Sequence, residues 1–285
     1  MRFRPCAVAL LGLLVVGCGA KTGLEVPEAG PDAGFDGGVD AGMELPCVEV
    51  PLDGGLIELP LDIAAELARA DVLFLVDNTL SMEAEMDQIR ARLRDTIAPG
   101  IAAAIPDSAI GVATFGDFPE PMCGEAGDEP FRLVLPVTDD LNRVQAAVDA
   151  MGMGMGSDRP ESQVEALYQT ATGEGIGAYV APSFGCPTGG VGYPCFRLDA
   201  LPVILLFTDA PFHNGPGGTN PYRCPIALSP HTYEEARLAL QALDARVVGL
   251  YSGDGEGRAD LVRIAQDTNA VDGGDALVFD IGERG

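Results

Sequence analysis

The chain alternates short apolar runs with stretches in which apolar residues recur every three or four positions. Segment 72–76 is a continuous apolar run, which is typical of a strand buried on both faces of a sheet. Segment 82–97 then places apolar residues at helical spacing, and Pro99 with Gly100 predicts the end of that helix. The same alternation recurs along the chain and predicts further strands at 109–115, 131–137, 202–207, 247–251 and 277–279.

Helix signals separate most of these strands. The run Thr138-Asp139-Asp140 predicts a helix start, and Thr232 with Glu235 has the spacing of a capping box. This order predicts an α/β fold with a doubly wound, mostly parallel central sheet flanked by helices and one antiparallel edge strand. Pro136 puts segment 131–137 at an edge, because proline lacks the backbone donor that a central strand needs. Sheets of this kind bind ligands at the carboxyl ends of their central strands.

The first residues of the chain predict export and not a part of the fold. Arg2 and Arg4 precede an apolar run at 7–16. That run is shorter than the roughly 20 residues of a membrane-spanning helix, so it is interpreted as the apolar core of a signal peptide.

The apolar run ends in Val15-Val16-Gly17-Cys18, which resembles the lipobox of bacterial lipoproteins. The resemblance implies a signal peptide over residues 1–17 and a diacylglycerol on the thiol of Cys18. Gly19 stands where lipoproteins retained in the inner membrane often have Asp, which favours the outer membrane, on its periplasmic or surface face. An ordinary signal peptide that contains a cysteine is the alternative.

An acidic segment of simple composition separates the predicted signal peptide from the predicted domain. Segment 18–46 repeats Asp, Ala and Gly after the lipidated cysteine, which predicts an extended acidic tether with little apolar surface to bury. Segment 47–70 is predicted to lead into a single domain at 71–285. The chain has 17 basic and 43 acidic residues and a formal net charge of −26. Nucleic-acid binding is therefore disfavoured, because this field repels phosphates.

Cysteine usage also favours an exported protein. Beyond the signal region the cysteines lie in loop-like stretches, at Cys47, Cys123, Cys186, Cys195 and Cys224. Cys186 and Cys195 bracket a short Gly- and Pro-rich loop that a disulfide could close, and two of the other three could pair. A zinc site is the alternative, but the sequence has no C-x-x-C and the two histidines lie elsewhere.

Oxygen-bearing side chains follow two of the predicted buried strands. Asp77, Thr79 and Ser81 follow the first of them, and Asp209 follows the strand at 202–207. Asp158 lies between them in sequence, in a loop just before a predicted helix. Carboxylate and hydroxyl oxygens are the ligands that Mg²⁺ prefers, with water completing six positions. Each motif alone also occurs as an ordinary helix N-cap or turn, so the prediction depends on their occurring together.

Together the three stretches resemble the metal-ion-dependent adhesion site of von Willebrand factor A domains, over about residues 70–283. The resemblance implies one Mg²⁺, or Mn²⁺ or Ca²⁺ in its place. Thr79 and Ser81 would be hydroxyl ligands, and Asp158 would fill the loop position. Asp77 and Asp209 would act through waters or as acceptors behind the ligands. The family commonly has Ser and Thr where this chain has Thr79 and Asp158.

The resemblance further implies that the ion keeps one position open for an acidic side chain of a partner protein. We therefore expect a lipid-anchored protein that mediates metal-dependent protein interaction or adhesion, in contact with the membrane only through its anchor. The third carboxylate, Asp158, should tighten metal binding and make the ion less attractive to that ligand. Ala84 and Glu85 stand where integrin beta subunits have two acidic residues, which makes a second metal there doubtful. The loops at 117–130 and 183–200 are expected to hold the specificity.

Two alternatives stay open: a structural envelope scaffold with an incidental metal, and a metal-dependent hydrolase. We expect no enzyme, because neither His213 nor His231 lies beside a Ser or Cys nucleophile motif. We also expect no nucleotide, because the Gly- and Met-rich segment 151–156 lacks the Gly-Lys-Ser/Thr of a phosphate loop.

Overall fold

The computed structural model describes residues 69–187 and 189–281. The signal peptide, Cys18, the tether and Cys47 lie outside the described residues. The strands are β1 (Arg69–Asp77), β2 (Asp107–Phe115), β3 (Arg132–Thr138), β4 (Leu201–Thr208), β5 (Arg246–Tyr251), β6 (Val271–Asp272), β7 (Asp275–Ala276) and β8 (Val278–Asp280). The α-helices are α1 (Glu83–Arg92), α2 (Ala98–Ala104), α3 (Leu141–Asp149), α4 (Gln163–Thr172), α5 (Tyr233–Ala242) and α6 (Arg258–Asp267).

The central sheet has six strands in the order β3-β2-β1-β4-β5-β8. All neighbouring pairs are parallel except β2 with β3, which is antiparallel. The predicted α/β class, with its mostly parallel sheet and one antiparallel edge strand, is therefore confirmed. Strand order reverses between β1 and β4, because the chain builds outward from β1 in one direction and from β4 in the other. Their carboxyl ends lie side by side at that switch point.

Side chains of β1 alternate between two apolar layers. Leu73 and Leu75 belong to one core cluster and Phe74 to the other, and all three are fully buried. Helices α4, α5 and α6 contribute to the first cluster, while α1 and α3 contribute to the second. The apolar run at residues 72–76 is therefore explained, because helices cover both faces of the sheet at β1.

The prediction that Pro99 and Gly100 end the first helix is wrong. After α1 the chain makes a π-helical turn over Leu93–Ile97 and then continues as α2. Pro99 lies in the first turn of α2, directly after this π-helical turn, in which the N–H of Ala98 donates to the Leu93 carbonyl five residues back. The capping box is confirmed, with Thr232 and Glu235 bonded reciprocally at the start of α5.

Two disulfides join loops of the described part of the chain. Cys186 pairs with Cys195, as the short loop between them predicts. Cys123 pairs with Cys224 across a separation of 101 residues. Disulfides persist in oxidising compartments, so they support an extracytoplasmic location. Within residues 69–187 and 189–281, no helix is long and apolar enough to cross a membrane.

Candidate metal centre

The site is built where β1 and β4 end next to each other. Asp77 is the last residue of β1, is fully buried, and accepts a hydrogen bond from the Thr208 hydroxyl at 2.7 Å through Oδ2. Its Oδ1 accepts from the backbone N–H of Thr79 at 3.0 Å and from the Thr79 hydroxyl at 2.7 Å. Both oxygens of Asp77 are thus engaged by protein donors, which suits a carboxylate that holds ligand hydroxyls in position.

A chain of oxygen atoms runs from Asp77 across the end of the sheet. Thr79 Oγ1 lies 3.2 Å from Ser81 Oγ, and the Ser81 hydroxyl donates to Asp209 Oδ1 at 3.1 Å. The structure therefore brings together four of the five predicted site residues: Asp77, Thr79, Ser81 and Asp209. These oxygens belong to loops that leave two different strands, so the sheet itself sets their spacing.

Glu161 brings a further carboxylate to this group. Its backbone bridges to the segment after β4, donating to the Pro211 carbonyl at 3.1 Å and accepting from the N–H of His213 at 2.7 Å. Its side chain is buried, and Oε2 has no hydrogen-bond partner among the described residues. A buried carboxylate oxygen without a donor is costly, so this atom marks a place where a cation would be favourable.

A cavity of about 820 Å³ opens over these residues. Gly156 forms part of its wall with φ +63°, a left-handed conformation that favours glycine. A side chain at that position would lie 3.1 Å from Glu161 Oε1 and 3.4 Å from Thr79 Cγ2. The close approach of this loop is therefore what brings Glu161 and Thr79 to one cavity. The lining residues that bear oxygens are Thr79, Ser81, Ser157, Asp158, Glu161, Asp209, Ser252 and Asp254.

Burial opposes the ionisation of three carboxyl groups at this site, those of Asp77, Glu161 and Asp209. Burial raises the pKa of Asp77 to about 7, although its hydrogen bonds act in the opposite direction. Burial, reinforced by the charges of Asp77 and Asp117, raises the pKa of Glu161 well above its ordinary value. Burial also raises the pKa of Asp209, against the hydrogen bond from Ser81. A divalent cation would remove this disadvantage, because opposite charge nearby favours the ionised form.

The structure places Asp158 differently from the other four predicted residues. It lines the same cavity, but its Oδ2 lies 3.3 Å from Nε2 of His213, and its Oδ1 has no hydrogen-bond partner among the described residues. The fully buried Asp117 lies 3.3 Å from the same nitrogen through Oδ2. Burial alone would lower the pKa of His213, but the two carboxylates outweigh it and raise the pKa to about 9. Without a metal, the imidazolium therefore compensates both acids.

This second group could itself hold a metal ion. In the described part of the chain, one set of His, Cys, Asp and Glu side chains has all its ligand atoms within 4.8 Å of one another: Asp117, Cys123, Asp158 and His213. The sulfur of Cys123 is bonded to Cys224 and is not available as a thiolate. An ion there would depend on two carboxylates and an imidazole, and binding it would release the imidazole proton.

Sequence reasoning missed Glu161 and Asp117 as site residues. Glu161 looks like an ordinary residue at a helix start. Asp117 lies just after β2, in a loop where no sequence pattern indicates a ligand. The signal that could have found Glu161 is its place in Asp158-Arg159-Pro160-Glu161, where the proline fixes the backbone between two acids.

Comparisons with known proteins add little to this picture. No protein family model matches the chain, and no curated protein matches it. Among solved structures, the chain is similar to proximal thread matrix protein 1 from the mussel byssus, at 15% sequence identity and a TM-score of 0.42. The match covers 70% of this chain and 41% of that one, so this chain spans about two fifths of its length.

The fold is a doubly wound α/β fold with one antiparallel edge strand. The mostly parallel six-stranded sheet, the antiparallel edge strand β3 and the helices on both faces establish this much. Any further conclusion about function depends on the chemistry of the cavity.

Proposed function

We propose that this chain is an exported, lipid-anchored protein that binds a partner protein through one divalent cation at the carboxyl ends of β1 and β4. Thr79 and Ser81 would supply hydroxyl ligands, and Glu161 a carboxylate. Asp77 and Asp209 would hold those hydroxyls and complete the coordination through water. This oxygen-only set suits Mg²⁺, or Mn²⁺ or Ca²⁺ in its place.

The observation that carries the proposal is the unpartnered Oε2 of Glu161 beside a hydrogen-bonded chain of hydroxyls. A buried carboxylate oxygen without a donor is costly unless the group is protonated or a cation compensates it. The basic side chains of this region are already engaged with other acids: His213 faces Asp117 and Asp158, and Arg159 pairs with Asp254 and Glu256. A cation bound in the cavity would compensate Glu161, and its remaining coordination positions would face the opening, where a partner's carboxylate could replace a water.

The metal half of the proposal is tested by thermal unfolding of the purified protein in EDTA and then with Mg²⁺, Mn²⁺ or Ca²⁺. A ligand of the native state at a hundredfold excess over its Kd stabilises by about 2.7 kcal/mol, which is about 5–10 °C in Tm for a domain of this size. We expect Asp209→Ala to lose this rise, because Ser81 then has no acceptor and the cation loses a charge partner. Asp87→Ala, which removes an exposed carboxylate on α1, should keep it.

A metal that raises the Tm of the wild type and of Asp209→Ala equally would place the ion elsewhere. The group of Asp117, Asp158 and His213 is then the candidate, and His213→Gln should remove the rise. No response to any of the three metals would contradict the proposal as a whole.

Two other functions remain as alternatives. In a structural scaffold with an incidental ion, metal would stabilise the protein but no acidic ligand would bind the loaded site. In a metal-dependent hydrolase, the loaded protein would turn over esters or phosphoesters, and a broad substrate screen would detect it. We favour the binding role, because the cavity places carboxylates and hydroxyls together without a histidine free to act as a base.

The lipid anchor is a separate prediction of the proposal. In cells fed a radiolabelled or alkynyl fatty acid, the wild-type protein should incorporate the label and remain with membranes. Cys18→Ser should lose both the label and the membrane association, because no other thiol follows an apolar signal. Cys6→Ser, within the predicted signal peptide, should behave as wild type. Label retained in the Cys18 variant would show that the lipobox interpretation is wrong.

A further inference from the structure

One basic side chain lines the cavity among the residues that the structure describes, and it is Arg159. The other charged residues of the lining are the carboxylates Asp158, Glu161, Asp209 and Asp254. We propose that Arg159 is the partner-selecting residue of the site: it receives the acidic side chain of the partner with its guanidinium while the cation takes the same carboxylate. This inference rests on the proposed metal site and names the feature that makes the site accept an acid.

The charges of the cavity create the need for such a residue. A divalent cation surrounded by the ionised carboxylates of Asp77, Glu161 and Asp209 has a net charge of −1, which does not attract another carboxylate. Asp158 shares one imidazolium with Asp117, and Asp254 shares one guanidinium with Glu256, so each pair of acids keeps one negative charge. An incoming acidic side chain therefore needs a positive group besides the ion. Arg159 lines the same cavity as Ser81 and Asp209.

Two acidic side chains hold Arg159 at the rim of the cavity and leave donors of its guanidinium available to a ligand. One amino group donates to Asp254, and the other lies 3.2 Å from Glu256 Oε2. All three side chains are at least half exposed, and exposed ion pairs contribute little to stability. Exchanging one of them for a ligand carboxylate thus costs little. The guanidinium has five donors in a fixed fork that matches a carboxylate, so it can keep Asp254 while binding a ligand.

The backbone around Arg159 is held firmly enough to aim it. The N–H groups of Ser157 and Asp158 donate to the Cys123 carbonyl, and Glu161 is bridged to the segment after β4. Pro160 restricts the residue before it to extended backbone. Arg159 therefore projects from a loop anchored on both sides, directly between Asp158 and Glu161 in sequence.

The experiment uses the purified protein loaded with Mn²⁺, whose free form is measured by electron paramagnetic resonance. Binding of N-acetyl-aspartate amide is then followed by the relaxation of water protons, since a carboxylate on the ion displaces a water. We expect Arg159→Gln to leave Mn²⁺ affinity within about twofold of wild type or tighter. The same variant should bind the aspartate amide at least about tenfold more weakly, the worth of a charge-assisted hydrogen bond. N-acetyl-asparagine amide should bind neither protein.

Two further variants separate a ligand contact from a structural link between loops. If Arg159 only ties its loop to residues 254–256, Glu256→Gln should weaken aspartate-amide binding as Arg159→Gln does. If Arg159 receives the ligand, Glu256→Gln removes a competitor and binding should be unchanged or up to about threefold tighter. Arg159→Lys keeps the charge without the fork and should bind at least about threefold more weakly. Arg258→Gln, an exposed arginine paired with Asp280 outside the cavity lining, should behave as wild type.

The outcomes distinguish this inference from the proposed function. Absence of Mn²⁺ binding by the wild type overturns both together. If the wild type binds Mn²⁺ and has the same aspartate-amide affinity as Arg159→Gln, the role of Arg159 is overturned but the metal site is not. The same conclusion follows if Arg159→Lys binds the aspartate amide as the wild type does. No binding of the aspartate amide to the loaded wild type overturns the role of Arg159 and favours the structural scaffold.

Discussion

Replacement of Glu161 by Gln should make the metal-free protein more stable and abolish its response to metal. The wild-type side chain is 4% exposed, and its Oε2 has no donor among the described residues. Gln cannot ionise, so the folded protein no longer has to bury a charge or hold a proton that the unfolded chain releases at this pH. Its N–H₂ can also donate to the neighbouring acids. Because an unsatisfied buried charged group costs about 1–3 kcal/mol or more, we expect a gain of about 1–3 kcal/mol in the free energy of unfolding at pH 7.5 in EDTA. Few substitutions at a buried acid should stabilise, which makes the sign informative.

Glu165, four residues further along the chain and in α4, provides a matched control. It is 1% exposed, but its oxygens accept from His231, through both the ring Nδ1 at 3.0 Å and the backbone N–H at 2.9 Å, and from Gln169 at 2.8 Å. Glu165→Gln breaks a satisfied buried pair, and we expect it to destabilise by about 3 kcal/mol. Its response to metal should persist. Opposite signs for two buried glutamates would show that the charge of Glu161 lacks a partner inside the protein.

Asp77 and Glu161 both make the stability of the metal-free protein depend on pH. Carboxyl groups whose folded pKa is raised bind more protons when folded, so their contribution is complete below the unfolded pKa and is lost as pH rises through the folded pKa. For Asp77 that window runs from 3.8 to about 7, with a slope of up to about 1.4 kcal/mol per pH unit for each proton. Glu161 acts in the same direction, so metal-free stability should fall from about pH 4 to pH 7. Glu161→Gln should flatten this fall, and saturating metal should suppress it.

Urea unfolding with and without EDTA, between pH 5 and pH 8, measures all of these quantities. A Glu161→Gln protein less stable than wild type in EDTA would mean that the carboxylate has a role in the fold itself. A metal response that survives in this variant would remove Glu161 from the ligand set.

The fold could be predicted from the sequence because its layers follow from simple patterns. A strand covered on both faces must be apolar where it crosses the core, as β1 is at residues 72–76. A helix start must satisfy its free N–H groups, as Thr232 does with Glu235. The π-turn at Leu93–Ile97 and the short hairpin of β6 and β7 could not. The π-turn allows the helix to continue past Pro99, and whether such a turn forms depends on how the whole helix packs. The second buries almost nothing and so leaves no hydropathy signal.

The candidate site was predicted only where a strand end determines it. Asp77, Thr79, Ser81 and Asp209 lie within four residues of β1 or β4, so the sheet brings them together. The loop before α4 has no such constraint. Whether Asp158 or Glu161 faces the hydroxyls depends on the bridge between Glu161 and Phe212 and on the left-handed Gly156. Both are tertiary features, since the bridge joins residues 51 positions apart in sequence.

The largest loss of stability should follow from removing the Cys123–Cys224 disulfide. Closing a loop of 101 residues restricts the unfolded chain by about 4.7 kcal/mol in the chain-entropy account, whereas the nine-residue Cys186–Cys195 loop is worth about 2.5 kcal/mol. We therefore expect the double variant Cys123→Ser, Cys224→Ser to lose about twice as much free energy of unfolding as the corresponding variant at Cys186 and Cys195. Double variants avoid leaving an unpaired thiol that could exchange.

The two disulfides should also differ in their effect on metal binding. The carbonyl of Cys123 accepts the N–H groups of Ser157 and Asp158 at 3.0 and 3.3 Å, so this cysteine supports the loop that carries Asp158, Arg159 and Glu161. Loosening it lets the cavity wall move and should weaken metal binding, whereas the loop of Cys186 and Cys195 lies outside the cavity lining. Urea titrations of both double variants, with and without metal, measure the two effects separately. Equal losses of stability would contradict the loop-length argument. If metal stabilises the variant without the Cys123–Cys224 disulfide as much as it stabilises the wild type, the backbone hydrogen bonds hold this loop without the disulfide.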